Sequence, residues 1–279
     1  MSKGVWLRSW LILVVILVGG CAPARESDKP VSAGGTHFYF IQISDTHWGA
    51  KDGMAMTRSA VEMIRKLPVR VEFVAVTGDL FADSIRNEQL VRDGIEVLRS
   101  AKVPVYCVPG NHDILQEDFA RTQALFDESF GVKEQKKMIR GVACLFLSSE
   151  IPPGEKRSAW QMERAAIETL MGDSKEPALI FLHRPPVRDV LGNEGNGPGS
   201  WDEVADSRWL RIFEKYPGIK GVFAGHFHRD EMIWIGDVPV YAAPALARFW
   251  DRQPAFRLYE YRDGRINYWT LYPERPARK

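Results

Sequence analysis

Apolar positions come in short, dense runs separated by longer amphipathic stretches. Phe38-Tyr39-Phe40-Ile41-Gln42-Ile43 is almost continuously apolar, the pattern of a strand buried on both faces. Helical spacing over 56–66, a strand over 71–76, a helix over 87–100 and a strand over 103–108 follow. Such alternation predicts βαβ units, a largely parallel sheet and an α/β class. The second half is less regular. Strand-like runs fall at 142–147, 178–182, 221–224, 232–235, 238–241, 256–261 and 266–271, with helices over 159–171 and about 202–216. Asp263-Gly264 reads as a hairpin turn. Residues 191–199 read as a glycine-rich flexible loop, and neither a long internal repeat nor a second domain boundary is visible.

The N-terminus breaks the pattern. Lys3 and Arg8 precede an apolar run over 10–18, closed by Gly19, Gly20 and Cys21. A basic start, a short apolar stretch and small residues describe a secretory signal, and the run is short for a membrane-spanning helix. Residues 17–21, Leu-Val-Gly-Gly-Cys, resemble a bacterial lipobox, which implies cleavage before Cys21 and attachment of lipid to its sulfur. The plainer alternative is an ordinary signal peptide with an incidental cysteine. The chain is thus expected to divide into a lipoprotein signal over 1–20, a flexible tether over 21–36 and a folded domain over 37–279. It is expected to work outside the cytoplasm as a membrane-anchored lipoprotein, on the periplasmic or cell-surface side.

Composition adds two limits. With 45% apolar and 26% charged residues among 279, the chain can bury a large core. With 37 basic and 36 acidic residues, net +1, it is not held to nucleic acid by bulk charge, and no nucleic-acid partner is expected. Cys107 and Cys144 sit in strand-like runs and read as buried free thiols, with a disulfide as the alternative in an exported protein. Oligomeric state leaves no mark.

The chemistry lies where apolar runs end. Five of them close on Ser44-Asp45-Thr46-His47, Thr77-Gly78-Asp79, Gly110-Asn111-His112, Leu182-His183 and Gly225-His226-Phe227-His228. In open α/β sheets, loops beyond the carboxyl ends of strands form the binding crevice, so distant segments can meet there. Imidazole nitrogens and carboxylate oxygens suit first-row divalent metals. Asp45 and His47 put two ligands on one turn, His226 and His228 do the same, and Asp79 has two oxygens with which to bridge two ions. Each segment alone reads as a capped turn with solvated side chains. The ordered set of five does not.

That set, Asp-x-His, Gly-Asp, Gly-Asn-His, His, Gly-His-x-His, resembles the calcineurin-like metallophosphoesterase superfamily from about Phe38 to His228. The resemblance implies a metallophosphoesterase-type sandwich of two packed mixed β-sheets flanked by helices. It implies two divalent metal ions, Mn, Fe or Zn: one held by Asp45, His47, Asp79 and His228, the other by Asp79, Asn111, His183 and His226. His112 would stand beside them as a general acid. The implied reaction is hydrolysis of a phosphomonoester or phosphodiester, on a small molecule or lipid head group, through a hydroxide shared by the two ions. A nucleotide or pyrophosphate-bond hydrolase has the same centre. A lipid-anchored binding protein on this scaffold is the non-enzymatic alternative, disfavoured by the intact ligand set.

Two positions depart from the common pattern. Asp83 either orients His112 or caps the following helix. Arg184 stands where many relatives carry a second histidine, and it either contacts a phosphate or forms a surface salt bridge. Trp48 and Trp250 either stack on a base or sugar or pack the fold.

Overall fold

Apolar runs of this kind have two faces to bury, and the chain buries both by stacking two sheets and covering each with helices. The computed structural model describes residues 35–131, 134–187, 205–248 and 252–274. The signal and lipobox with Cys21, nearly all of the tether, the loop over 191–199 and Trp250 lie outside the described residues.

The elements run β1 (His37–Ile43), α1 (Gly53–Arg65), β2 (Val71–Thr77), α2 (Glu88–Arg99), β3 (Val105–Val108), α3 (Phe119–Phe130), β4 (Gln135–Ile139), β5 (Val142–Phe146), α4 (Ala159–Met171), β6 (Ala178–Phe181), α5 (Ala205–Lys215), β7 (Ile219–Ala224), β8 (Glu231–Ile235), β9 (Val238–Ala242), β10 (Phe256–Arg262) and β11 (Arg265–Leu271). One sheet has the order β11-β10-β1-β2-β3, the other β4-β5-β6-β7-β9-β8. β1, β2 and β3 are parallel, as are β5, β6, β7 and β9, while β10, β11, β4 and β8 pair antiparallel. The parallel βαβ run expected of the first half is present in β1, β2 and β3, and it belongs to one of two mixed sheets, the sandwich that the resemblance implies.

The sequence carries the reason in its aromatic alternation. Phe38 and Phe40 of β1, Phe73 of β2 and Tyr259 and Tyr261 of β10 face inward, against Phe146, Phe181, Phe223 and Tyr241 of the second sheet. Phe40 stacks on Phe73 at 5.1 Å within its own sheet and meets Phe223 edge-on at 5.1 Å across the interface. Such offset and edge-to-face contacts bind two sheets better than aliphatic burial alone. The other faces are aliphatic. Ile41, Ile43, Val74 and Val76 pack under α1, α2 and α3; Leu145, Ile180 and Val222 pack under α4 and α5.

Two elements are not foreseen, α3 and β4. Among the described strands β4 is an edge strand paired with β5, and it contains Lys136 and Lys137, charges that discourage edge-to-edge pairing and also erase an apolar signature. The Asp263-Gly264 turn forms, with left-handed φ values of 49° and 85° between paired Arg262 and Arg265. Cys107 and Cys144 are buried and free.

Candidate metal centre

Five parallel strands, β1, β2, β3, β6 and β7, deliver the five chemical segments at their carboxyl ends. The pairing of β1 with β2 continues past the sheet: Asp45 N donates to Gly78 O and His47 N to Asp79 O, each at 3.0 Å. Asp45, His47, Asp79, His226 and His228 all have left-handed backbones, with φ from 42° to 68°. For residues with a Cβ this costs about 1–2 kcal/mol each, and it persists only where surrounding bonds enforce it. Two glycines make the approach possible. A Cβ on Gly110 would lie 2.3 Å from Asp79 Oδ1, and one on Gly225 would lie 1.9 Å from Ser44 Oγ.

The side chains form two groups that share Asp79. Asp45, His47, Asp79 and His228 can place one donor atom each within 4.8 Å of the others, and so can Asp79, His183 and His226. Asp79 Oδ2 is 3.8 Å from His47 Nε2 and 3.2 Å from His183 Nε2. His228 Nε2 is 3.1 Å from Asp45 Oδ1, and Asn111 Oδ1 is 3.1 Å from His183 Nε2. Every sequence-derived ligand thus falls at one locus. Supporting bonds aim them: His183 Nδ1 donates to Thr77 O at 2.8 Å, which turns Nε2 toward Asp79, and His112 N donates to Asp79 Oδ1 at 2.8 Å. The donor set, oxygen and nitrogen, buried and convergent, fits two divalent ions.

Burial opposes ionisation of Asp79, but His183 and His47 more than offset it and hold the carboxyl far below its ordinary range. Burial likewise opposes ionisation of Asp45, and His228 overrides it. Burial takes His47 down to about 4 against the pull of Asp79, and takes His226 down to about 3 with help from His183 and Arg184. Both imidazoles are therefore neutral near neutral pH, the form that can ligate a metal.

Around the ligands stand residues that are not ligands. His112 Nδ1 donates to Asp83 Oδ1 at 2.9 Å, and its ring lies 5.1 Å from that of His47. Asp83 therefore orients His112, while the following helix is capped by Asn87, whose side chain accepts from Leu90 N. Arg184 pairs with Glu150 at 3.1 Å, and this is no surface bridge, because the Glu150 side chain is 2% exposed. Trp48 is wholly buried, donates to Thr57 Oγ1 and packs on Gly94, so it is a packing residue.

Sequence reading missed three acids. Asp113, next to His112, accepts from Gly110 N and Phe81 N, both at 2.9 Å, and fixes the loop from within. Glu150 and Glu163 sit behind Arg184. Glu163 was findable: it lies on the buried stripe of α4 with Ala166 and Ile167, a position that calls for an apolar residue. Neither of its oxygens finds a hydrogen-bond partner among the described residues. Burial, then Glu150, push its carboxyl up to about 8, against Arg184. The fold thus retains a proton that the unfolded chain releases at its ordinary value of 4.5, so this group's contribution to stability declines as pH rises from that value toward 8. Glu163→Gln removes the decline. In urea unfolding the variant is expected to gain on the wild type between about pH 5 and about pH 8; a difference constant with pH would refute this.

Comparison with known proteins agrees with the geometry. A family model described as calcineurin-like phosphoesterase matches residues 38–230. The chain is 26% identical over 222 residues to a serine/threonine-protein phosphatase of Danio rerio, covering 69% of this chain and 71% of that protein. It is 26% identical over 217 residues to a 3′,5′-cyclic adenosine monophosphate phosphodiesterase of Vibrio vulnificus, covering 74% and 75%. Among solved structures it resembles a dimetal phosphatase from Danio rerio, with a TM-score of 0.57 and 14% identity over 85% of this chain and 99% of that one, a likeness of fold.

Proposed function

Because the chain belongs to the calcineurin-like phosphoesterase family and carries its dinuclear Asp/His metal site, we propose that it hydrolyses small phosphomonoesters or phosphodiesters outside the cytoplasm, using Mn, Fe or Zn. The observation that carries this is the convergence of both ligand groups on Asp79. Two divalent ions in such a site supply Lewis-acid stabilisation of the phosphoryl oxygens and an activated water. The protein supplies the rest. Asp79 is pinned through Oδ1 so that Oδ2 faces both groups. His112 Nδ1 donates a hydrogen bond to Asp83, which leaves Nε2 as the nitrogen that would deliver a proton to the leaving oxygen. The two relatives are named for a phosphomonoester and a phosphodiester substrate, which supports the bond class more than any one substrate.

Protein reconstituted with Mn²⁺ or Zn²⁺ is expected to hold about two ions per chain and to hydrolyse members of a panel of phosphomonoesters, diesters, nucleotides and phospholipid head groups. Folded protein that never holds more than trace metal would defeat the proposal.

The basic start, the apolar run and Cys21 support a lipid anchor. Mass spectrometry of the N-terminal peptide from membranes is expected to find Cys21 first and acylated. An unmodified terminus elsewhere would reject the anchor and leave the hydrolase reading intact.

A further inference from the structure

We propose that Arg184 makes this site select terminal phosphate groups, so that phosphomonoesters are preferred over diesters, and that Glu150 is the residue that positions Arg184 for it. The inference rests on the dinuclear hydrolase reading and narrows its substrate class.

Arg184 directly follows the ligand His183, and its guanidinium reaches across to the other side of the same group, 3.2 Å from His226 Nε2. A cation placed there is unfavourable beside metal ions unless something holds it. Glu150 does: Arg184 Nε donates to Glu150 Oε1 at 3.1 Å, while the backbone is fixed by Arg184 N, which donates to Ser149 Oγ at 3.1 Å. The side chain is nevertheless 32% exposed. An anion can therefore reach its outer edge while its inner edge is fixed by acid.

His112, outside the ligand set, stands at the opposite group, beside His47. It is 39% exposed. The two define a direction across the site. A phosphoryl group whose leaving oxygen points to His112 turns its remaining oxygens toward Arg184. In a phosphomonoester dianion the outermost of these is a charged terminal oxygen that accepts hydrogen bonds from the guanidinium fork. A diester also offers terminal oxygens, but they share one negative charge against the dianion's two, and its second substituent must be seated beside them, so the fork meets less charge. Because Glu150 fixes the guanidinium before substrate arrives, little ordering remains to be done on binding.

The test uses p-nitrophenyl phosphate and bis(p-nitrophenyl) phosphate, whose leaving groups are the same, so the demand on His112 is matched. Wild type, Arg184→Gln, Arg184→Lys and Glu150→Gln are loaded with metal, and metal content and melting temperature are measured. Arg184→Gln is expected to keep both ions and to lower kcat/KM for the monoester about 10–100-fold, the scale for hydrogen bonds to charged groups. The diester should change by less than about 3-fold. Arg184→Lys keeps the charge without the fork and should fall between. Glu150→Gln should act in the same direction as Arg184→Gln, mainly through KM. Inorganic phosphate, titrated against the metal-loaded proteins without turnover, should bind about 10-fold more weakly to Arg184→Gln. Equal losses on both esters, or phosphate affinity independent of Arg184, would overturn the selection. Metal-loaded wild type inert toward both esters would overturn the hydrolase reading, and the phosphate titration would still report on Arg184.

Discussion

Asp79→Ala is expected to do more damage than any other single change to the ligand set. Asp79 is the one acid common to both groups of potential ligands, and its Oδ2 faces imidazoles of each. Its loss should therefore cost both ions. Even removing a residue that merely supports a ligand lowers metal affinity or activity roughly 10–100-fold; removing a shared ligand should exceed that for affinity and leave no measurable hydrolysis. The change also strips the acceptor from His112 N and, from His183, the carboxylate that does most to raise that imidazole against burial. Asp79→Asn separates these effects, since it keeps the shape and an acceptor for His112 N while losing the charge. Both variants are expected to lose metal by elemental analysis, with the asparagine variant closer to the wild type in melting temperature of the metal-free protein. Retention of two ions in either would remove Asp79 from the bridging position.

The second large effect separates proton transfer from metal binding. Among the described residues, His112 meets the centre through its backbone bond to Asp79 and its ring contact with His47, and it is not among the ligand groups. His112→Gln should therefore keep both metals while hydrolysis falls about 10²–10⁴-fold, the usual scale for general acid catalysis. The loss should be steepest for esters with poor, high-pKa leaving groups and should shrink for activated aryl phosphates. Rates plotted against leaving-group pKa, with metal content checked, decide the matter. A loss uniform along the series would favour charge stabilisation over proton transfer. Unchanged rates would take His112 out of the mechanism. Because Asp83 is 63% exposed, Asp83→Asn should have the milder version of the same effect.

The centre is legible in the sequence because ligand chemistry restricts residue types and strand ends restrict where they stand. Asp45, His47, Asp79, His183, His226 and His228, which the fold gathers into two groups, all stand where apolar runs end, and the family resemblance gives them their roles. The second sheet is harder to see. Inward and outward residues of a strand buried on both faces are alike in hydropathy, so Phe40 and Ile41 do not announce that one faces another sheet and the other a helix. β4 is hidden by its own lysines. Glu150 and Arg184 are far apart in sequence, and nothing local in either predicts their pairing.

The aromatic layer between the sheets has a mechanical meaning for the centre above it. Asp45, His47, Asp79 and Asn111 extend from strands of one sheet, and His183, His226 and His228 from strands of the other. An ion held by either group would tie the two sheets together. The spacing of Phe40 against Phe181 and Phe223, at 5.7 Å and 5.1 Å, thereby bears on the gap that the two ligand groups span. Thinning that layer should loosen the grip on metal from below, without any ligand being touched, and binding metal should in turn resist the two sheets sliding apart.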